Sequence, residues 1–286
     1  MQPRRYRIDL GYEGTAFSGS QRQPGLRTVQ GVLEEALARV VAMPVRVALA
    51  GRTDAGVHAV GQVASCDLVW RHDAETLVRA LRASLPEDIV IYRATVAPAG
   101  FHARRCALDR EYRYRIWLGT DPPLFLRRFV WVYAGPIDLQ ALQAAADFFV
   151  GTHDFRSFAG HGMGGPAATA PRFRTIDLSE WHLLEPTLEP LWGRAQILEY
   201  RVRANGFLPH MVRTMVAALL RVGTGDVSPD WIVELLRVHD RRAAPAPAPA
   251  RGLVLWRVRY PEDVDCAAGY EQPPLHVSER KGSSEV

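Results

Sequence analysis

Hydrophobic and polar positions change period repeatedly along this chain. From Arg5 to Tyr12, the residues Tyr6, Ile8, Leu10 and Tyr12 share one parity, the pattern of a half-buried strand. A glycine-rich turn follows. From Thr28 the period becomes helical: Val29, Leu33, Leu37 and Val40 fall on one face, with Thr28 placed to cap the first turn. The pattern then predicts strands at Pro44–Ala50 and Gln62–Cys66, a helix at Ala74–Ser84 stopped near Pro86, and a strand at Ile89–Val96.

The chain changes over between Phe101 and Leu108. Beyond it, Tyr112, Tyr114, Ile116 and Leu118 mark a strand over Glu111–Leu118, and a helix is expected at Asp138–Val150. Ala159–Ala170, full of Gly, Ala and Pro, is expected to be a flexible loop. Strands are expected at Thr175–Leu183 and Gly193–Ala204, then a helix at Pro209–Val222 closed by Gly223. Ser228-Pro229 should open a further helix running to Val238. Ala243–Ala250 alternates alanine with proline and must be extended, and Leu253–Tyr260 is a last strand. The expected class is α+β: two domains, residues 1–105 and 106–264, each a mainly antiparallel sheet with helices on one face, the active-site cleft lying between them. A polar tail, residues 265–286, is expected to be disordered.

Composition narrows this picture only a little. The 286 residues are 48% hydrophobic and 23% charged, the balance of a soluble globular chain. No run approaches the ~18 apolar residues of a membrane span, and the N-terminus does not read as a signal peptide. The three cysteines are far apart and form no CxxC pair, which predicts reduced thiols in a cytoplasmic protein. Net charge is 35 − 31 = +4. Lys281 is the one lysine, so nearly every basic residue is arginine, a side chain that grips phosphate with a bidentate fork and stacks on bases. Genome composition explains such an excess equally well. Arg104-Arg105, Arg127-Arg128 and Arg241-Arg242 are candidate phosphate contacts, or else solvated faces.

The motifs of common cofactor and metal chemistry are missing. There is no HExxH, no phosphate-binding GxxxxGK[ST], no GxGxxG after a strand and no GxSxG elbow, and the histidines show no metal-ligand spacing. Neither cofactor nor metal is therefore expected. What stands out is GRTDAGVH, Gly51 to His58: a glycine-bracketed loop between strands with Asp54 at its tip and Arg52 two residues before. On pattern alone a structural Asx-turn with a surface arginine explains it more simply.

The same segment resembles, nearly letter for letter, the signature loop of the TruA-type tRNA pseudouridine synthases. GYEGTAFSGSQRQPGLRTVQ (Gly11–Gln30), SLPEDI (Ser84–Ile89), FHAR (Phe101–Arg104), EYRYRI (Glu111–Ile116), GFLPHMVR (Gly206–Arg213) and APARGLVL (Ala248–Leu255) resemble further family blocks, in family order. Ser20, Arg82, Pro209, Thr214 and Ala244 depart from the family's usual residues.

The resemblance implies a cofactor-independent isomerase acting on uridines at positions 38 to 40 of the anticodon stem-loop of tRNA. It implies a cytoplasmic homodimer with one tRNA spanning both subunits. It also implies Asp54 as the catalytic carboxylate, with Tyr112, Arg52, Arg213 and Leu208 binding substrate. An isolated buried carboxylate takes up a proton, and a guanidinium beside it keeps it charged; the resemblance assigns that part to Arg213. It assigns Tyr112 to stacking on an extruded uracil, with its hydroxyl available to assist loss of the C5 proton, and Arg52 to the space the base vacates. Read without the resemblance, Tyr112 is a core residue of its strand and Arg213 a helix-surface arginine.

Two competing functions are a non-catalytic tRNA-binding protein of the same fold and a glycoside-type hydrolase. The second needs two carboxylates, and the nearest acid after the loop, Asp67, is expected at the surface.

Overall fold

The computed structural model describes residues 2–160, 170–184 and 196–262. The loop expected at Ala159–Ala170 falls almost wholly outside the described residues, as does the tail from Asp265.

The alternating segments form strands β1 (Arg4–Tyr12), β2 (Ala48–Leu49), β3 (His58–Leu68), β4 (Ile89–Val96), β5 (Asp109–Leu118), β6 (Trp131–Tyr133), β7 (Gly151–Asp154), β8 (Phe173–Leu184), β9 (Gln196–Ala204) and β10 (Leu253–Arg259). The helices are α1 (Val29–Val41), α2 (Ala74–Ser84), α3 (Leu139–Asp147), α4 (Met211–Gly223) and α5 (Trp231–Val238). Thr28 caps α1 as its position suggested, its hydroxyl accepting from the Gly31 N–H.

Several boundaries differ from the sequence reading: β3 is longer than Gln62–Cys66, and α3 ends at Asp147 rather than Val150. Pro44–Ala50 contributes only the two-residue β2. Gly223 lies inside α4, and the left-handed residue after that helix is Gly225, with φ of 78°. Ser228-Pro229 forms a turn before α5, whose first residue follows Asp230; the Ser228 hydroxyl caps nothing, and instead its carbonyl accepts from the Trp231 N–H.

One sheet runs through the chain in the order β4-β1-β3-β10-β5-β9-β8-β7, with β2 on β3 and β6 on β5. The pairings within residues 4–96 are antiparallel, as are β5 with β9, β9 with β8 and β8 with β7. The two halves join where the last strand, β10, lies parallel to β3 and antiparallel to β5. That junction matches Val254 to His58 and Leu255 to both Ala59 and Tyr112.

Side chains on the two faces of β5 differ in kind. Tyr112, Tyr114 and Ile116 point into the continuous hydrophobic core. Glu111, Arg113 and Arg115 point the other way, where Glu199, fully buried, pairs with Arg113, Arg115 and Arg201. Helix α1 packs on α2 and α2 on β4, while α3 packs on α4 and β8. No helix among the described residues is long and apolar enough to cross a membrane.

The β3–β10 joint depends on a close approach of backbones. A Cβ on Gly61 would overlap the Trp256 carbonyl, at the point where β10 shifts register between Leu255 and Arg257. Gly61→Val therefore forces the strands apart. It should cost at least about 1–3 kcal/mol and lower Tm by several degrees, read by thermal unfolding. An unchanged Tm would show that the joint tolerates separation.

Candidate active site

The GRTDAGVH loop leaves β2 and enters β3, and its shape is fixed on every side by bonds to its backbone. The Thr53 N–H donates to Ser20 Oγ at 2.8 Å, and the Ser20 N–H donates to the Thr53 carbonyl at 3.0 Å. Ser20, a departure from the family pattern, is thus a direct support of the loop. Gln62, fully buried, accepts from the Gly51 N–H and donates to the Gly51 carbonyl. Tyr12 Oη lies 2.8 Å from Thr53 Oγ1. Gly56 takes φ of 78°, which lets the chain turn after Asp54 and return to β3.

His58 closes the loop. Its Nδ1 accepts from the Gly14 N–H at 2.9 Å, so the proton sits on Nε2, which donates to the Arg128 carbonyl at 2.8 Å. Burial holds its pKa below the ordinary 6.5, because the charged form is poorly solvated there. Above pH 6.5 the ring is neutral both folded and unfolded, with no penalty. As pH falls below 6.5, the unfolded chain takes up a proton that native His58 resists, so stability drops. Denaturant titrations at pH 7.5 and 5.5 should give a lower midpoint at 5.5, and His58→Asn, which keeps an acceptor near Nδ1, should shrink that difference. The same pH dependence in both proteins would exclude His58 as its source.

Asp54 points into a cavity of about 990 Å³. Arg213 comes to it from α4, across 159 positions of sequence: Nη1 donates to Asp54 Oδ2 at 3.0 Å. The Nε of the same guanidinium donates to the Ala248 carbonyl at 2.7 Å, and the Ala248 N–H returns a bond to the Arg213 carbonyl. Asp54 and Arg213 keep 23% and 16% of their side-chain surface, so the pair is sheltered but reachable.

His210 Nε2 lies 3.7 Å from the same carboxylate oxygen. His210 takes φ of 60°, a left-handed conformation costly for a residue with a side chain. Pro209 is therefore outside the helix, contrary to its expected place in the first turn; α4 starts at Met211, and the Pro209 carbonyl accepts from the Gly160 N–H. The first turn of α4 borders the cavity, so its positive end favours a carboxylate there.

Tyr112 lines the cavity and is nevertheless nearly buried, so it is at once a residue of the core and part of the cavity wall. Its hydroxyl donates to the Arg52 carbonyl at 3.3 Å, and its ring packs edge-on against Phe207 at 5.1 Å. Burial pushes its phenol pKa well above the ordinary 10, with the charges of Tyr12 and Asp54 adding to the rise. The phenol is protonated at neutral pH, so it can donate a hydrogen bond and offer a flat ring, whereas removing a proton as phenolate is disfavoured.

Arg52 and Leu208 also line the cavity, Arg52 exposed and Leu208 buried. Asp54 is the one carboxylate on this wall among the described residues. Asp67 lies within β3, not after it, and pairs at the surface with Arg5. No group of His, Cys, Asp and Glu among the described residues could hold a metal ion.

The sequence reading missed Arg110. Its guanidinium donates to the carbonyls of Ala50, Arg104, Ala107 and Asn205. Ala50 precedes the Asp54 loop and Asn205 precedes the segment leading to Arg213, so Arg110 ties together the two approaches to the site. Nothing in the pattern of β5 signals this beyond its parity with Tyr112.

The sequence profile of the tRNA pseudouridine synthase family matches residues 11–104 and 145–261. The chain belongs to this family. It is 44% identical over 252 residues to tRNA pseudouridine synthase A of Chloroflexus aurantiacus, covering 88% of this chain and 87% of that protein. It is 41% identical over 260 residues to the protein of that name from Geobacillus kaustophilus, covering 91% and 95%. Identity to the one from Bacillus subtilis is 38% over 258 residues, covering 90% and 99%. Each of these shares extends across both halves of the sheet, so the family likeness includes the loop carrying Asp54 and the helix carrying Arg213.

Proposed function

We propose that this chain isomerises uridine to pseudouridine in the anticodon stem-loop of tRNA, at positions 38, 39 and 40, without a cofactor. The observation that carries the reading is the Asp54–Arg213 pair at 3.0 Å on the wall of a large, arginine-lined cavity. In the reaction the glycosidic N1–C1′ bond breaks, the detached uracil turns, a C5–C1′ bond forms, the C5 proton leaves and the freed N1 takes up a proton. The target nucleotide must first leave the helix stack, at a cost of a few kcal/mol.

Asp54 serves either of two routes, attack on the nucleotide or removal of a sugar proton to give a glycal. Both need a carboxylate held in place and kept from bulk water, and Arg213 holds Asp54 at 3.0 Å in a sheltered position. Arg213 orients Asp54. Tyr112 stacks on the everted base, Leu208 gives it an apolar wall, and Arg52 holds the RNA strand it leaves. The non-catalytic alternative gives no reason to place a carboxylate beside an arginine from the other half of the chain.

We also read residues 1–105 and 106–264 as two domains sharing the continuous sheet. The enzyme is read as a homodimer in the cytoplasm, one tRNA spanning both subunits; light scattering should give twice the chain mass. The test of function is carbodiimide–primer extension on an unmodified tRNA transcript incubated with the protein. Stops confined to uridines 38–40 support the reading, and stops elsewhere or none overturn it.

A further inference from the structure

Many arginines outside the cavity are matched to carboxylates, among them Arg5 with Asp67, Arg27 with Asp88, Arg93 with Asp9, Arg203 with Asp177 and Arg259 with Asp109. The arginines of the cavity wall, Arg52, Arg104, Arg110 and Arg174, have no carboxylate partner among the described residues.

Arg104 and Arg174 are the pair that catalysis leaves unused. Neither pairs with Asp54, whose partners are Arg213 and His210. Arg104 is exposed. Arg174 reaches the backbone carbonyl of its own neighbour Phe173, and its Nε lies over Gly206, where an added Cβ would stand 3.5 Å away. The Arg110 guanidinium lies behind, bonded to the Arg104 carbonyl at 2.6 Å and the Asn205 carbonyl at 3.1 Å.

These cations act on one another. Arg174 loses proton affinity first through partial burial and then through the positive charges of Arg172 and Arg104. Like charges gathered on one concave wall, without local neutralisation, are stabilised by an anion that enters with the ligand. Of the three arginine doublets singled out as candidate phosphate contacts, only Arg104-Arg105 places a member here. Arg128 pairs with Glu13 and Arg242 with Asp240, while Arg241 donates to the Ala244 and Pro245 carbonyls.

We propose that Arg104 and Arg174 form a phosphodiester subsite. It takes one backbone phosphate of the RNA strand beside the everted nucleotide, with Arg110 as a fixed charge behind it. The inference rests on the RNA-modifying function proposed above and adds where in the cavity the strand is anchored. The subsite contributes to binding and strand register, leaving bond rearrangement to Asp54.

The test uses Arg104→Gln and Arg174→Gln in the full chain, with the paired surface arginine Arg5→Gln as control. Each cavity variant should raise the Kd for an anticodon stem-loop RNA roughly tenfold, with kcat at saturating RNA within about threefold of wild type. Each should flatten the slope of log Kd against log salt by about 0.7–0.9. Arg174→Lys should restore the slope with only part of the affinity. Arg5→Gln should change neither.

The decisive arm neutralises single RNA phosphates as methylphosphonates on either side of the target uridine. One of these should weaken wild-type binding yet weaken the Arg104→Gln and Arg174→Gln proteins no further. Additive losses at both phosphates, an unchanged salt slope, or a loss confined to kcat would overturn the subsite. Binding and salt slope are read without turnover. An inactive wild type showing the same non-additivity would therefore overturn the proposed reaction while leaving the subsite in place.

Discussion

Asp54→Asn leaves tRNA bound and abolishes pseudouridine formation. Asparagine keeps the shape of the side chain, and its carbonyl oxygen can still accept from Arg213 Nη1, now at 3.0 Å from Asp54 Oδ2. It carries no charge, so it can neither attack the nucleotide nor take its proton. Removing the central group of a covalent or acid–base mechanism costs roughly four or more orders of magnitude in rate. Affinity should move the other way if it moves at all. Among the described residues Asp54 is the one carboxylate on a wall that also carries Arg52, Arg104, Arg110 and Arg174, and its removal leaves that wall more attractive to RNA phosphates. Primer-extension mapping gives the first quantity and filter binding the second. Wild-type modification by the variant would end the assignment of Asp54 as catalyst. Loss of binding together with activity would show that the substitution damages the site more widely.

Arg213→Lys should lower kcat about a hundredfold, the order of loss that a misplacement near 1 Å produces, with KM within a few-fold. One guanidinium here spans two fixed points, the Ala248 carbonyl at 2.7 Å and the Asp54 carboxylate at 3.0 Å. A lysine ammonium keeps the charge but presents a single point on a flexible stem, so it serves one partner at a time. If Arg213 supplied only positive charge, lysine would restore activity to within a few-fold, and that result would contradict its role in orienting Asp54. Thermal unfolding separates a site effect from a fold effect. The Ala248 bonds also anchor the alanine–proline segment, whose expected extended span Ala243–Ala250 is shortened at both ends, because Ala243 closes one 3-10 turn and Ala250 opens another; a Tm loss of a few degrees is compatible with the prediction and a collapse is not.

The elements of this fold were legible because alternation and helical period are local. Tyr6, Ile8 and Leu10 announce β1, and Thr28 with Val29, Leu33 and Leu37 announces α1. The short β6 and β7 carry too few residues to show a period. The parallel pairing of β10 on β3 joins residues almost two hundred positions apart, which no period encodes.

The site divides in the same way. GRTDAGVH and GFLPHMVR are recognisable as motifs, and the structure brings Asp54 and Arg213 within hydrogen-bond distance. The residues that hold those motifs in place are a different matter. Ser20, Gln62, His58 and Arg110 act through bonds to distant backbone atoms, and a side chain's appetite for a remote carbonyl leaves no mark in the sequence. Proline at 209 suggested an ordinary first helical turn. The left-handed His210 that follows reflects the packing of its ring beside Gly160, where an added Cβ would stand 2.6 Å from Nδ1, and the bond between the Pro209 carbonyl and the Gly160 N–H.

The central claim is that Asp54 and Arg213, brought together from the two halves of the chain, move a uracil from nitrogen to carbon attachment, the C5 proton passing to solvent as N1 takes one up. A tRNA transcript carrying tritium at C5 of its uridines tests this directly. Wild-type protein should release tritium to water while all uracil stays in the polymer. Free uracil in solution, or no release of tritium to water, would contradict the account.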